Sequence, residues 1–138
     1  MRVAVVFFGS GRRDSVLDIA RGIVAGIESQ GHTVELIDAE KDPGKTLTMY
    51  EYIAIGARAT SVFGGKLPGS ITEFLDTAGM ISGKKCFAFL LRGPFGGGKA
   101  LTRLMGIMER QGMFIRYSEI IRSADEARVI GSRLKIEP

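Results

Sequence analysis

The sequence has little or none of several residues on which common functional sites depend. It contains one cysteine, one histidine and no tryptophan among 138 residues. A single cysteine excludes an internal disulfide, and no pair of cysteine or histidine residues has the spacing of metal ligands, so we expect no bound metal. Cys86 lies inside an apolar run and is expected to pack as a small buried side chain in a reducing compartment.

The sequence also lacks a long apolar segment and a strong excess of one charge. No apolar stretch approaches the length needed to span a bilayer, and the first residues form a strand pattern without a charged-then-apolar leader. We therefore expect a cytoplasmic protein with no membrane association. The 19 Lys and Arg residues exceed the 15 Asp and Glu residues, but they are scattered along the chain. The net charge of +4 favours anionic partners in general and does not indicate nucleic acid.

Strand patterns and helix patterns alternate along a length that suits one domain, residues 1–138. Apolar runs predict five strands: Arg2–Phe8, Thr33–Ile37, Tyr50–Gly56, Lys85–Leu91 and Phe114–Ile121. Four helices are predicted. The first is capped by Asp14 or Ser15 and runs to about Gln30, and the second has Pro68 in its first turn. The third and fourth span about 99–111 and 124–134. Residues 38–49 contain Pro43 and Gly44 and leave space for only a turn or a very short helix. The methionines at 80, 105, 108 and 113 are expected to fill the core.

This alternation predicts an α/β fold, a doubly wound parallel sheet in a three-layer sandwich with helices on both faces. In the strand order 2-1-3-4-5, a ligand crevice opens between strands 1 and 3 at their carboxyl ends. The loops after strands 1, 3 and 4 border that crevice and are rich in glycine, serine and threonine. A dinucleotide fold would instead need a Gly-x-Gly-x-x-Gly turn after strand 1, and that turn is absent, although Asp38 is placed to serve as its acidic residue.

The loop after strand 1 combines several features that suit a phosphate. Small residues, the start of the next helix, two arginines and two serines occur together between Gly9 and Ser15. Backbone N–H groups and the positive end of the helix dipole converge there. An ordinary strand-to-helix turn with solvated arginines would give the same pattern, so this loop alone does not distinguish a phosphate site from a structural turn.

The chain resembles a short-chain flavodoxin over nearly its whole length, in three stretches. Residues 7–15 (FFGSGRRDS) are similar to the family's phosphate loop. Residues 55–68 (IGARATSVFGGKLP), together with 73–76 (EFLD), are similar to its second flavin loop. Residues 92–101 (RGPFGGGKAL) are similar to its third flavin loop. Arg13-Asp14-Ser15 stands where the family has Gly-Asn-Thr, and this chain is basic where flavodoxins are usually acidic. Two possibilities therefore stay open: the phosphate site is damaged, or the fold is kept but no longer binds a flavin.

The resemblance implies that the chain binds FMN in these three loops. The implied cofactor-binding residues are Ser10, Gly11, Arg12, Arg13, Asp14, Ser15, Arg58, Thr60, Ser61, Phe63, Gly64, Arg92, Gly93, Phe95 and Gly96. Ser10, Ser15 and the backbone of 11–14 would hold the phosphate, and Phe63 and Phe95 would flank the ring. No residue is assigned a catalytic role.

The resemblance also implies an electron carrier that docks transiently with redox proteins. Basic residues near the ring edge indicate partners with acidic surfaces. Two alternatives stay open. One is an FMN-dependent NAD(P)H reductase acting on a quinone or another small acceptor, and the other is a flavin-free module that binds an anionic ligand or a protein.

Overall fold

A computed structural model of the chain describes residues 1–9, 11–60, 65–94 and 97–137. Its strands are β1 (Arg2–Phe7), β2 (Thr33–Asp38), β3 (Tyr52–Ala57), β4 (Lys85–Leu91) and β5 (Phe114–Ile121). Its helices are α1 (Arg13–Glu28), α2 (Ser70–Asp76), α3 (Gly98–Arg110) and α4 (Ala124–Arg133). None of these helices is long and apolar enough to cross a membrane.

The five strands form one sheet in the order β2-β1-β3-β4-β5, and every neighbouring pair is parallel. This confirms the predicted fold class and strand order. The register aligns Phe7 of β1 with Asp38 of β2 and with Gly56 of β3, and Gly56 with Phe89 of β4. Because the strands are parallel and in this register, the segments that follow them begin at one edge of the sheet.

Each face of the sheet carries its own apolar core. One core contains alternate residues of β1, β3 and β4 together with buried residues of α2 and α3. The other contains the intervening strand residues together with residues of α1, α4 and the segment after α4. Cys86 lies in the first core with no exposed surface, as predicted, and burial raises the pKa of its thiol to about 12.

The crossing of α1 and α4 brings two helix backbones into direct contact. A Cβ added at Gly26 would lie 2.3 Å from the carbonyl oxygen of Arg128, and one at Gly131 would lie 2.6 Å from that of Ile23. Gly22 is equally confined, 2.5 Å from the carbonyl oxygen of Ala124. Glycine at these positions lets α4 approach α1 more closely than a side chain would allow.

The connection from β2 to β3 has no helix, which confirms the prediction for residues 38–49. The Lys84 ammonium holds the end of this connection by donating to the carbonyl oxygens of Leu47, Thr48 and Tyr50 at 2.5 to 3.3 Å. Leu47 and Tyr50 are buried against the sheet. A loop, held by the side chain of the residue that precedes β4, therefore covers part of the sheet that a crossover helix would otherwise cover.

The structure corrects three sequence predictions. Met80 is 77% exposed and does not fill the core, because it follows Gly79 in a turn outside α2. Helix α1 begins at Arg13, so Asp14 lies in its first turn and neither Asp14 nor Ser15 caps it. Helix α2 begins at Ser70, two residues after Pro68.

Candidate functional site

The segment after β1 is fixed to the sheet at its beginning. The backbone N–H of Phe8 donates to the carbonyl oxygen of Gly56 at 3.0 Å, which extends the pairing of β1 with β3. The buried Phe8 ring packs edge to face against Phe74 of α2, with 5.6 Å between ring centroids. The aromatic residue that ends the predicted strand is therefore an anchor, which leaves the following residues at the carboxyl edge.

A tight turn then leads into α1. The N–H of Arg12 donates to the carbonyl oxygen of Gly9 at 3.0 Å. A Cβ on Gly9 would lie 2.8 Å from the Cα of Arg13, so the chain passes too close to itself for any side chain there. Gly11 has a φ of +81°, a conformation that glycine adopts without strain.

The start of α1 presents hydrogen-bond donors to solvent. Arg12 occupies the N-cap position without a side-chain capping bond. Among the described residues, the backbone N–H groups of Arg13 and Ser15 have no acceptor, and the side chain of Ser15 is exposed beside them. Open N–H groups and the positive end of a 16-residue helix attract an anion at this position.

The side chain of Arg13 contacts the neighbouring strand. Its Nε donates to Oδ2 of Asp38 at 2.7 Å, and its guanidinium lies 6.0 Å from the centre of the Phe7 ring. The Asp38 side chain is only 11% exposed and also accepts the N–H of Glu40 at 3.1 Å. This pair ties the start of α1 to the end of β2. Sequence reasoning did not identify Asp38 as the partner of Arg13, although its position at the carboxyl end of β2, beside β1, was the available signal.

The second and third predicted loops meet each other. In the segment after β3, the N–H of Thr60 donates to the carbonyl oxygen of Lys66 at 2.8 Å and closes that loop. Gly65, with a φ of +66°, lies so close to the start of α3 that a Cβ would be 2.6 Å from the backbone nitrogen of Ala100. The loop after β3 therefore packs against the helix that follows β4.

The structure brings the three predicted segments to one edge of the sheet. Of the predicted site residues, Gly11, Arg12, Asp14, Ser15, Thr60, Arg92 and Gly93 are exposed there, and Arg13 and Arg58 are partly buried. Ser10, Ser61, Phe63, Gly64, Phe95 and Gly96 lie outside the described residues. The two predicted ring-flanking phenylalanines thus stay predictions. Within the described ranges, no group of three or more His, Cys, Asp and Glu side chains is placed to hold a metal ion.

Solved structures share this architecture across almost the entire chain. Flavodoxin 1 from Bacillus cereus superimposes with a TM-score of 0.71 at 20% identity, covering 95% of each chain. The chain has the flavodoxin-like fold. Two-electron reduced flavodoxin from Megasphaera elsdenii gives a TM-score of 0.67 at 21% identity and 96% coverage of each chain. A flavodoxin, WrbA-like protein from Agrobacterium tumefaciens gives 0.61 at 17% identity, covering 96% of this chain and 93% of that one.

Similarity at the sequence level is much weaker than similarity of fold. No family model and no curated protein matches this flavodoxin-like chain. Sequence identities of 20% and 21% to these flavodoxins support a shared fold. They do not establish which group the chain binds or which partners it has, so both must be argued from the chemistry of the site.

Proposed function

We propose that this chain is a cytoplasmic flavodoxin-like protein that binds one FMN between the carboxyl ends of β1 and β3 and carries electrons between protein partners. The observation that carries the proposal is the open start of α1. It lies after β1, at the point where the winding of the sheet reverses, which is where ligands bind in such folds.

The described residues of the first loop fit a phosphate group. The N–H groups of Arg13 and Ser15 and the hydroxyl of Ser15 are positioned as donors, and the helix dipole adds favourable potential. Gly9 lets the turn pass close to Arg13 at the start of the helix, and Gly11 supplies the positive φ of the turn. When bound, the flavin ring of FMN takes up and releases electrons. From the sequence, we assign Phe63 and Phe95 to the two sides of that ring.

Binding is tested by titrating the flavin-free protein with FMN and following the quenching of flavin fluorescence. We expect a dissociation constant of about 1 μM or lower, which corresponds to about −8 kcal/mol. Riboflavin, which lacks the phosphate, is expected to bind much more weakly. Equal affinity for the two flavins contradicts the phosphate assignment, and binding of neither supports the flavin-free alternative.

Substitution of Ser15 tests the phosphate site directly. In Ser15→Ala, FMN binding is expected to weaken by about 1 to 3 kcal/mol because the hydroxyl donates to a charged acceptor. Riboflavin binding is expected to be unchanged. Ser132→Ala in α4 is the matched control, since Ser132 is exposed and, among the residues that the structure describes, its hydroxyl donates only to the carbonyl oxygen of Val129. Normal FMN binding by Ser15→Ala would place the phosphate elsewhere.

We further propose that the redox partners present acidic surfaces. Arg12 and Lys99 are exposed beside the first and third loops, and the chain has a net charge of +4. Complementary charge acts mainly on the rate of association, and salt weakens it because the Debye length falls from about 10 Å at 0.1 M to about 3 Å at 1 M.

The partner proposal is tested by measuring the rate of reduction of the FMN-loaded protein by an acidic donor protein. The variant Lys99→Glu is expected to react more slowly, and wild type is expected to lose its advantage at high salt. Arg133→Glu, at the far end of α4, is the control. Equal rates in all variants contradict the proposal, and NAD(P)H oxidation without any added protein favours the reductase alternative.

A further inference from the structure

A second cleft lies at the carboxyl ends of β4 and β5. It has a volume of about 480 Å³ and is lined by Arg92, Glu119, Ile120, Arg122 and Glu126. Arg92 follows β4, Glu119 and Ile120 belong to β5, and Glu126 lies in the first turn of α4. Volumes of about 300 to 1,000 Å³ are typical of small-molecule sites.

Both carboxylates of the cleft are held in place by neighbouring groups. Oε2 of Glu126 accepts from Nε of Arg122 at 3.2 Å, and the backbone N–H of Glu126 donates to Oγ of Ser123, the cap of α4. Oε2 of Glu119 accepts the hydroxyl of Tyr117 at 2.8 Å. Each of these carboxylates has a second oxygen with capacity to accept a hydrogen bond.

Arg92 differs from Arg122, the other arginine of the cleft, which is paired with Glu126. The backbone N–H of Arg92 donates to the carbonyl oxygen of Ile121 at 2.9 Å, which fixes the residue beside β5. Its guanidinium, however, makes no hydrogen bond or ion pair with any residue that the structure describes. A guanidinium with five donors in a fixed plane recognises a phosphate or a carboxylate.

The lining selects against simple ions. Two carboxylates repel a ligand that carries only negative charge, and two guanidinium groups repel a simple cation. The cleft therefore requires one anionic group for Arg92 together with hydroxyl groups that donate to Glu119 and Glu126. A phosphorylated ribose carries both. The side chain of Ile120, next to Glu119 on β5, projects to the opposite face of the sheet, so no contact with an attached base is assigned to it. A free amino acid also carries a negative group and donors, but it would fill only a small part of the volume.

We propose that this cleft binds a ribose phosphate group, such as that of a nucleoside monophosphate, with its phosphate on Arg92 and its ribose hydroxyl groups on Glu119 and Glu126. The cleft shares Arg92 with the third predicted flavin loop, but none of its other residues belongs to the predicted flavin loops, and it lies apart from the phosphate site proposed at the start of α1. It adjoins the segment after β4, so a bound nucleotide would lie next to the third predicted flavin loop.

The proposal is tested with adenosine 5′-monophosphate on isotopically labelled, flavin-free protein, followed by amide chemical shifts in NMR. Saturable shifts are expected at residues 92, 119–122 and 126, with weaker binding of ribose alone and of inorganic phosphate alone. Shifts confined to residues 11–16 would show binding at the proposed FMN phosphate site and would overturn the cleft assignment. Because no flavin is present, failure of FMN binding leaves this result unaffected.

Variants separate recognition from general charge. Arg92→Gln is expected to weaken binding about tenfold, the effect of losing one hydrogen-bonded charged partner. Glu119→Gln is expected to weaken adenosine monophosphate binding but to strengthen binding of inorganic phosphate, because one repelling carboxylate is removed. Arg110→Gln, at the end of α3, is the control and is expected to bind as wild type does. Equal losses in Arg92→Gln and Arg110→Gln, tighter binding of glutamate than of the nucleotide, or no saturable binding at millimolar concentration would overturn the proposal.

Discussion

Replacement of Gly26 by alanine is expected to destabilise the fold, although the same change usually stabilises a helix. Within a helix, alanine is favoured over glycine by about 1 kcal/mol because glycine loses more backbone entropy on folding. At Gly26, however, the new Cβ would lie 2.3 Å from the carbonyl oxygen of Arg128 and 2.6 Å from the backbone nitrogen of Ser132. Both atoms belong to the α4 backbone, so no side-chain rotation relieves the contact.

The loss of stability can be estimated from the distance that α4 must shift to make room for the new Cβ. Ordinary contact begins near 3.4 Å, so α4 must shift by roughly 1 Å against a close-packed core. Overpacking of this kind typically costs about 1 to 3 kcal/mol. Gly106 offers a matched control because it also lies inside a helix, α3, but a Cβ there would meet no atom within 4 Å. We expect Gly106→Ala to be at least as stable as wild type and Gly26→Ala to be less stable than Gly106→Ala by about 2 to 4 kcal/mol.

The assay is equilibrium unfolding in urea, with the free energy of unfolding obtained from the midpoint and the slope of the transition. A lower midpoint at an unchanged slope in Gly26→Ala would reflect lost stability of the native state. Gly131→Ala tests the same crossing from α4, since its Cβ would lie 2.6 Å from the carbonyl oxygen of Ile23. If Gly26→Ala were as stable as Gly106→Ala, close approach of the two backbones would not be what requires glycine here.

Two further predictions concern single side chains. Lys84→Met is expected to lower the free energy of unfolding by about 1 to 3 kcal/mol, because three backbone carbonyls lose their ammonium donor. Lys135→Met, at an exposed position, is the control and should change the free energy of unfolding little in the same urea assay. Cys86 is expected to resist thiol reagents until the protein unfolds, because burial raises its pKa to about 12. The unfolded thiol ionises near its ordinary value of 9, so between about pH 9 and 12 the unfolded state binds fewer protons and this group's contribution to stability falls as pH rises. Equal pH dependence in wild type and Cys86→Ala would contradict that assignment.

The sequence by itself determined the order and type of the elements. The predicted strands matched β4 and β5 at both ends. Strand β4 is a nearly continuous apolar run between Gly83 and Gly93, and β5 begins after Gly112 and is bounded by apolar residues at each end. The strand order was predicted from the loops, because only in an order such as 2-1-3-4-5 do the small-residue loops after strands 1, 3 and 4 border one ligand crevice. Helix starts were less certain, because a cap depends on backbone geometry at one residue, and α1 begins with Arg12 as its cap.

Only the tertiary structure decided which distant groups meet. Periodicity shows that a residue lies on the face of an element but does not show what packs against that face. The pairing of Arg13 with Asp38, the contact of Gly26 with the α4 backbone, the three carbonyls around Lys84 and the cleft beside Arg92 each join segments far apart in the chain. Such contacts depend on the angle and spacing at which elements cross, and those are set by the packing of the whole core rather than by any local run of residues.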